Sequence, residues 1–174
     1  MTFDKSTKNS EELQLQFLEN AVEKVMLGST IEDALNIDKK ITESFYSIGY
    51  SLYQQAKYQQ ALRYFKHAVA LDIYEIRYLL AYAKCLKNIG EIDESIAYLA
   101  LAQLIRPEEP KIAFEISECF LKKGMIEEAC KIIEMIENYF KDSSQEIPEL
   151  KQAVNVKNFI QTFPERFVEG GVIN

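Results

Sequence analysis

Residues 76–109 read IRYLLAYAKCLKNIGEIDESIAYLALAQLIRPEE, and this stretch decides the fold. On either side of Gly90 the apolar residues recur three and four positions apart, which predicts two amphipathic helices joined by a tight turn. The same order of small and large residues occurs 34 positions earlier and 34 positions later. The matching sets are Gly49, Ala83 and Ser117; Leu52, Leu86 and Phe120; Ala61, Ser95 and Ala129; and Phe65, Leu99 and Ile133. Small residues thus recur where two helices must touch, and large apolar residues recur where a core must be filled.

This period and pattern resemble the tetratricopeptide repeat, a helix-turn-helix unit that stacks into a solenoid. We therefore predict an all-α fold with three repeats, at residues 42–75, 76–109 and 110–143. In each repeat a helix A is followed by a short turn and a helix B, with the turns at Ala56-Lys57, Gly90-Glu91 and Gly124-Met125. A solenoid of this kind is normally a binding surface rather than a catalyst.

The repeats are flanked by two further helical segments. We expect residues 1–10 to be disordered and residues 11–41 to form an N-terminal helical segment, with a helix from about Ser10 to Leu27. Its residues Leu13, Phe17, Ala21 and Val25 recur every four positions, and their face needs burial against the solenoid or against a second copy of the chain. Residues 144–174 are expected to form a capping helix, from Glu146 to about Phe163, and a flexible tail. Leu150, Val154 and Phe159 would cover the last repeat.

Composition narrows the class of protein. The 174 residues are 48% hydrophobic with a formal net charge of −7, which favours a packed core and argues against nucleic acid as the main partner. Three cysteines without framework spacing indicate reduced thiols. Neither an apolar signal core at the N-terminus nor an apolar run of membrane-spanning length occurs, so we expect the protein to stay in the compartment where it is made.

Residues that could carry catalysis are scarce. His67 is the single histidine and has no spaced Cys, Asp or Glu partner, so it is interpreted as a solvated or packing residue. The sequence contains neither a glycine-rich phosphate loop nor a nucleophile elbow. We therefore predict a protein that is not an enzyme and uses no metal and no cofactor.

Helical geometry predicts which side chains line the groove formed by the A helices. In the first repeat these are Tyr46, Tyr50 and Tyr53, which form one strip, and Tyr58 can extend it across the turn. Groove positions further along hold Arg77, Leu80, Lys84, Lys87, Lys111, Phe114 and Leu121. An aromatic strip beside amphipathic and charged groups suits an extended peptide, although a given tyrosine could instead only pack against neighbouring helices.

Several stretches together point to a narrower family. The most telling is Leu71-Asp72-Ile73-Tyr74-Glu75-Ile76-Arg77, at the joint between the first and second repeats. Others are Gly28-Ser29-Thr30, Cys85, Gly90, Asp93, Glu109-Pro110-Lys111, Phe114, Glu118-Cys119, Gly124 and Glu128-Ala129. Over about residues 15 to 140 the chain resembles the tetratricopeptide chaperones that guard the hydrophobic translocator proteins of bacterial type III secretion.

That resemblance implies a function and partners. The groove would bind a short extended segment near the N-terminus of a translocator, with Tyr46, Tyr50, Tyr53 and Tyr58 at the matching aromatic positions. The client would be kept from aggregating and competent for secretion in the bacterial cytoplasm. The resemblance also implies an all-helical homodimer, commonly built with the N-terminal helical segment, when no client is bound.

Two other functions remain open at this point. The chain could be a general tetratricopeptide scaffold, or a regulatory adaptor that binds a transcription factor when its client is absent. Scaffolds that grip the acidic C-terminus of a heat-shock chaperone need a Lys and an Asn on the first A helix. Those positions hold Tyr46 and Tyr50, which argues against that version of a scaffold.

Overall fold

The computed structural model describes residues 4–141 and 148–162, and within these ranges the regular secondary structure is helical. The helices are α1 Asp4–Met26, α2 Ile31–Ala34, α3 Lys39–Gln54, α4 Tyr58–Leu71, α5 Ile76–Ile89, α6 Ile92–Ile105, α7 Pro110–Lys122, α8 Ile126–Tyr139 and α9 Pro148–Thr162. No helix in the described part of the chain is long and apolar enough to cross a bilayer.

Three helix-turn-helix pairs stack in chain order. α3 packs on α4, α5 on α6 and α7 on α8, while α4 also contacts α5 and α6 also contacts α7. Each helix therefore buries its apolar face against its own partner and against the next pair. The all-α fold with three tetratricopeptide repeats is confirmed.

The turn inside each pair has the same backbone geometry. Ala56, Gly90 and Gly124 occupy equivalent positions and adopt positive φ angles of 57°, 93° and 74°. The amide after each of them donates to the carbonyl five residues earlier, at 3.0 Å, 3.0 Å and 2.9 Å in the three repeats. This bond closes a helix end with a left-handed residue, a conformation that glycine adopts without steric cost and alanine does not.

The small-residue positions lie where the two helices of a repeat meet. Ala61, Ser95 and Ala129 are buried, as are Gly49, Ala83 and Ser117. A methyl group added at Gly49 would lie 2.8 Å from ring carbons of Phe65, closer than side-chain carbons pack. Glycine at this position therefore allows α3 to approach α4 closely and lets the Phe65 ring of α4 pack directly against the backbone of α3.

The N-terminal segment differs from the expectation. α1 begins at Asp4 rather than at Ser10, so residues 4–10 are helical and not disordered. Neither proline nor glycine occurs there, so nothing in the chain stops the helix from extending toward the N-terminus. α2 follows after Gly28, and its Asp33 amide donates to the Thr30 hydroxyl at 3.0 Å. α1 packs against α2, which in turn contacts α4.

At the other end, α9 packs on α7 and α8 and so covers the last repeat. Its buried face is centred on Ala153, Lys157 and Ile160, with Leu150 and Val154 partly buried. Phe159, expected on this face, is exposed instead, because it lies off the stripe with three- and four-residue spacing that runs through 150, 153, 157 and 160. The predicted flexible tail falls within residues 163–174, outside the described residues.

Candidate functional site

A pocket of about 290 Å³ opens on the side of the A helices, at the first repeat and its junction with the second. Its walls come from α3 and α5, with single contributions from α4 and α7. The lining residues are Tyr46, Tyr50, Tyr53, Gln54, Phe65, Arg77, Leu80, Ala81, Lys84 and Lys111. Seven of the groove residues predicted from the sequence are thus brought together here.

Tyr46 and Tyr50 form one wall but differ in burial. Their rings are stacked with centroids 6.1 Å apart. Tyr46 also packs against the rings of Phe65 and Tyr78, at centroid distances of 5.7 Å and 5.3 Å. Burial raises the pKa of the Tyr46 phenol, so this ring stays neutral. Tyr50 is 49% exposed. Tyr46 therefore belongs to both the core and the pocket, whereas Tyr50 serves mainly the pocket.

Tyr53 is held at the edge of the pocket by two neighbours. Its hydroxyl accepts a hydrogen bond from Asn88 Nδ2 at 3.1 Å, and its ring meets Tyr58 edge-on at 5.3 Å. Tyr58 does not line the pocket itself. Its role in this geometry is to orient the Tyr53 ring across the turn between α3 and α4.

Arg77 is fixed in the pocket wall by two carboxylates. Its Nη2 donates to Glu43 at 2.7 Å and to Glu75 at 3.1 Å. Hydrogen bonds from Arg77 hold the pKa of both carboxyl groups below their usual value, so both stay ionised at neutral pH. The guanidinium also lies over the Tyr46 ring, 5.4 Å from its centroid.

Lys87 does not lie in this pocket. Its ammonium contacts Glu115 and Glu118 at 2.6 Å each, and its side chain is 12% exposed. Glu115 is also paired with Lys84 at 2.6 Å. This charge network ties α5 to α7. The repeat period predicts that Lys87 lies on the groove face. It cannot show that this lysine is paired with glutamates of the next repeat.

Two further predicted residues lie elsewhere on the groove. Phe114 and Leu121 are partly buried on α7 and do not line the pocket. Conversely, Gln54, Phe65 and Ala81 line it without being named as groove residues from the sequence. Phe65 follows a core pattern, and only Gly49 opposite it signals that its ring reaches through to the groove.

His67 and the predicted dimerisation face can also be placed. The His67 ring packs against Phe45 at a centroid distance of 5.2 Å, on the solvent side of the first repeat. On α1, Leu13, Phe17 and Val25 are exposed, which leaves an apolar face open. Ala21 is only 5% exposed, so it contributes to packing within the chain and not to that open face.

Comparison with known proteins agrees with these features. The tetratricopeptide repeat model matches residues 42–72 and 76–109. The low calcium response locus protein H of Yersinia pestis is 27% identical over 136 residues, covering 75% of this chain and 81% of the relative.

Solved structures extend the similarity to the fold. The type III secretion translocator chaperone SycD of Yersinia enterocolitica superposes with a TM-score of 0.70 at 25% identity, covering 76% of this chain and 99% of SycD. SycD in complex with a peptide of the translocator YopD gives a TM-score of 0.59 at 25% identity, covering 70% and 93%. The chain thus has a tetratricopeptide-repeat fold and resembles, in sequence and in fold, the translocator chaperones of type III secretion.

Proposed function

We propose that this chain is a type III secretion chaperone that holds a hydrophobic translocator protein in the bacterial cytoplasm by binding a short extended segment near the client's N-terminus. The aromatic pocket at the first repeat is the observation that carries the proposal. It combines three tyrosines with Leu80 and the buried Phe65 ring, and it is open to solvent along the groove. Similarity to SycD, including its complex with a YopD peptide, supports the same function.

The pocket is suited to one apolar side chain of an extended peptide. Alternate side chains of such a peptide point the same way, so one can enter between Tyr46, Tyr50 and Leu80 while its neighbours face solvent. Tyrosine rings offer large and rather rigid contact area, and their hydroxyl groups stay hydrated or bond to the peptide backbone. A few such anchors carry most of the affinity in interfaces of this kind.

Binding of this kind would protect the client without any chemical step. Membrane-inserting segments aggregate when they are exposed in water, since large apolar patches associate. Holding one client segment keeps the rest in a complex that stays in solution until export. The chaperone would then remain behind in the cytoplasm.

We further propose that the client-free chain is a homodimer built through α1. Leu13, Phe17 and Val25 form the exposed apolar face of that helix, and Leu18 and Val22 widen it. A second copy would bury this face, because amphipathic helices with apolar residues three and four positions apart pack against each other along that face. Ala21 supports α1 from the inside of its own chain.

Co-expression with the hydrophobic proteins encoded beside this chain, followed by pull-down and size-exclusion chromatography, tests the chaperone function. We expect one of them to be recovered in a soluble complex and Tyr50→Ala to weaken that complex by at least about tenfold, because removing a central aromatic anchor costs about 2 kcal/mol or more. Tyr46→Ala/Tyr50→Ala should abolish it, but at some cost in stability because Tyr46 also packs in the core.

Tyr139→Ala is the matched control, since it removes an exposed tyrosine from α8 that does not line the pocket. Equal loss of the complex in Tyr139→Ala and Tyr50→Ala would contradict the groove assignment. A chain that keeps none of these proteins soluble, but assembles stably with a hydrophilic partner, would instead be a general scaffold or regulatory adaptor.

A further inference from the structure

The lining of the aromatic pocket has a charge opposite to that of the chain. The chain carries a net charge of −7, yet the pocket lining contains Arg77, Lys84 and Lys111 and, among the residues that the structure describes, no carboxylate. Carboxylates that neutralise two of these cations approach from outside the pocket. Arg77 is paired with Glu43 and Glu75, and Lys84 is paired with Glu115, so Lys111 is the cation of this lining that is left to favour a negatively charged group on whatever binds there.

Arg77 keeps hydrogen-bonding capacity after its own ion pairs are made. Both of its carboxylate partners are bound through Nη2, at 2.7 Å and 3.1 Å, and the side chain is half exposed. Nη1 and Nε donate to no group within residues 4–141 and 148–162. An arginine fixed in this way presents a pre-oriented edge to a carboxylate at little entropic cost.

Lys111 differs from the other two cations because it forms no ion pair within the part of the chain that the structure describes. It lies in the first turn of α7, partly exposed. With Arg77 and Leu80 it lines both the aromatic pocket and a neighbouring depression of about 490 Å³. Arg77 and Lys111 thus stand where a peptide would leave the pocket.

Carboxylates in the neighbouring depression limit how many acidic residues a bound peptide can carry beyond the pocket. Besides its three cations, the depression is lined by Asp72, Glu75, Glu108 and Glu109. An uninterrupted acidic tract would meet all of these carboxylates, whereas a single carboxylate needs only to reach Lys111 and the unoccupied edge of Arg77. Charge complementarity therefore favours one acidic residue close to the apolar anchor.

We propose that the groove recognises an aliphatic side chain with one Asp or Glu two residues from it, the aliphatic group entering the tyrosine pocket and the carboxylate binding Lys111 and Arg77. This inference rests on the proposed peptide-binding function and specifies the peptide. In an extended peptide, residues two apart lie about 6.6 Å from each other, so anchor and carboxylate can reach the pocket and its exit together.

A phage-displayed library of random 12-residue peptides, selected on the full-length chain, provides the test. We expect Tyr50-dependent peptides to share a Leu, Ile or Val with an Asp or Glu two positions away. The best sequence is then synthesised with acetylated and amidated ends, as an Asp or Glu form and as its Asn or Gln form. The amidated end removes the C-terminal carboxylate as a competing source of charge.

The dissociation constants of the acidic peptide and of its amide form are measured on wild type and on Lys111→Gln, and the four values form a double-mutant cycle. We expect the acidic peptide to bind wild type about threefold to tenfold more tightly than its amide form, and the gap to shrink in Lys111→Gln and in 0.5 M salt. Lys111→Arg should restore the gap. Lys122→Gln, which removes an exposed cation from the same helix outside the pocket, should leave it unchanged.

The two proposals fail in different ways. Tyr50-dependent peptides that show no acidic preference, or acidic and amide forms that bind equally, would overturn this inference and leave the peptide-binding function standing. A library that yields no Tyr50-dependent peptide would overturn the peptide-binding function and this inference with it.

Discussion

In the first repeat, three groove positions on successive turns of helix A hold Tyr46, Tyr50 and Tyr53. In the second repeat the equivalent positions hold Leu80, Lys84 and Lys87. The tyrosines leave an open pocket with polar hydroxyl groups at its rim. Both lysines of the second repeat instead bind Glu115 on α7. The same face of the repeat unit is thus open for a ligand beside the tyrosines, whereas from Lys84, at the edge of that pocket, to Lys87 it is occupied by internal ion pairs.

This difference separates two uses of a repeat. Where neighbouring repeats carry opposite charges at facing positions, the charges satisfy each other and stiffen the stack. Aromatic residues such as the half-exposed Tyr50 form no such ion pairs, so the surface that they line stays available. A groove residue therefore cannot be assigned to ligand binding from its position in the repeat alone; its partner in the next repeat must also be known.

The largest expected effect comes from removing the centre of the ion-pair network. Glu115→Ala leaves Lys84 without its partner and leaves the largely buried Lys87 with Glu118 alone. We expect a loss of about 3 kcal/mol in the free energy of unfolding, measured by urea denaturation, because a buried charge without its partner is costly. Glu118→Ala is the control, since Glu118 is 40% exposed and should cost about 1 kcal/mol or less.

Equal small losses in both variants would show that this network does not hold α5 to α7, and the contrast with the first repeat would then disappear. Client binding in Glu118→Ala should stay near that of wild type, because Glu118 does not line the aromatic pocket.

A smaller effect should appear in the dependence of stability on pH. Burial by itself raises the pKa of the Glu115 carboxyl, but hydrogen bonds from Lys84 and Lys87 outweigh burial and lower it below its usual value of 4.5. A carboxyl whose pKa is lower in the folded chain contributes stability above its unfolded pKa and loses it as pH falls through the folded pKa. Wild type should therefore lose stability below about pH 4.5 more steeply than Glu115→Gln.

Urea denaturation of both chains between pH 7 and pH 3 measures this difference. Glu43 and Glu75 also have lowered pKa values, so the variant should keep part of the acid dependence. Parallel curves for wild type and Glu115→Gln would mean that the ion pairs around Glu115 contribute nothing to folding.

The smallest expected effect concerns the turn of the first repeat. Ala56 has the left-handed conformation that Gly90 and Gly124 adopt at the equivalent positions. Ala56→Gly should stabilise the chain by about 0.5 kcal/mol, since relief of left-handed strain of about 1 kcal/mol exceeds the entropy cost of glycine. Thermal denaturation would register it as a small rise in Tm.

Ala100→Gly is the matched control, because Ala100 is an exposed residue inside helix α6. That change should destabilise the chain by about 0.5–1 kcal/mol. If Ala56→Gly behaved in the same way as Ala100→Gly, the strain at the first turn would be negligible, and the three turns would be energetically alike.

The 34-residue period by itself determined the fold, the helix pairs and the face on which the tyrosines lie. It could do so because helical repeats fix the direction of each side chain through local spacing, and because glycine or a small residue marks each close helix contact. Tyr46, Tyr50 and Tyr53 consequently lie together in the pocket, as the spacing predicted.

Tertiary structure decided what each groove residue does. Lys87 binds two glutamates of the next repeat, the Phe65 ring reaches the pocket where Gly49 leaves room for it, and Lys111 comes from α7 and forms no ion pair within the described ranges 4–141 and 148–162. These outcomes depend on distances between residues that are 16 positions apart, as Gly49 and Phe65 are, or about 30, as Lys87 and its two glutamates are. Periodicity predicts a face, whereas burial and charge pairing depend on which side chain of the neighbouring repeat stands opposite.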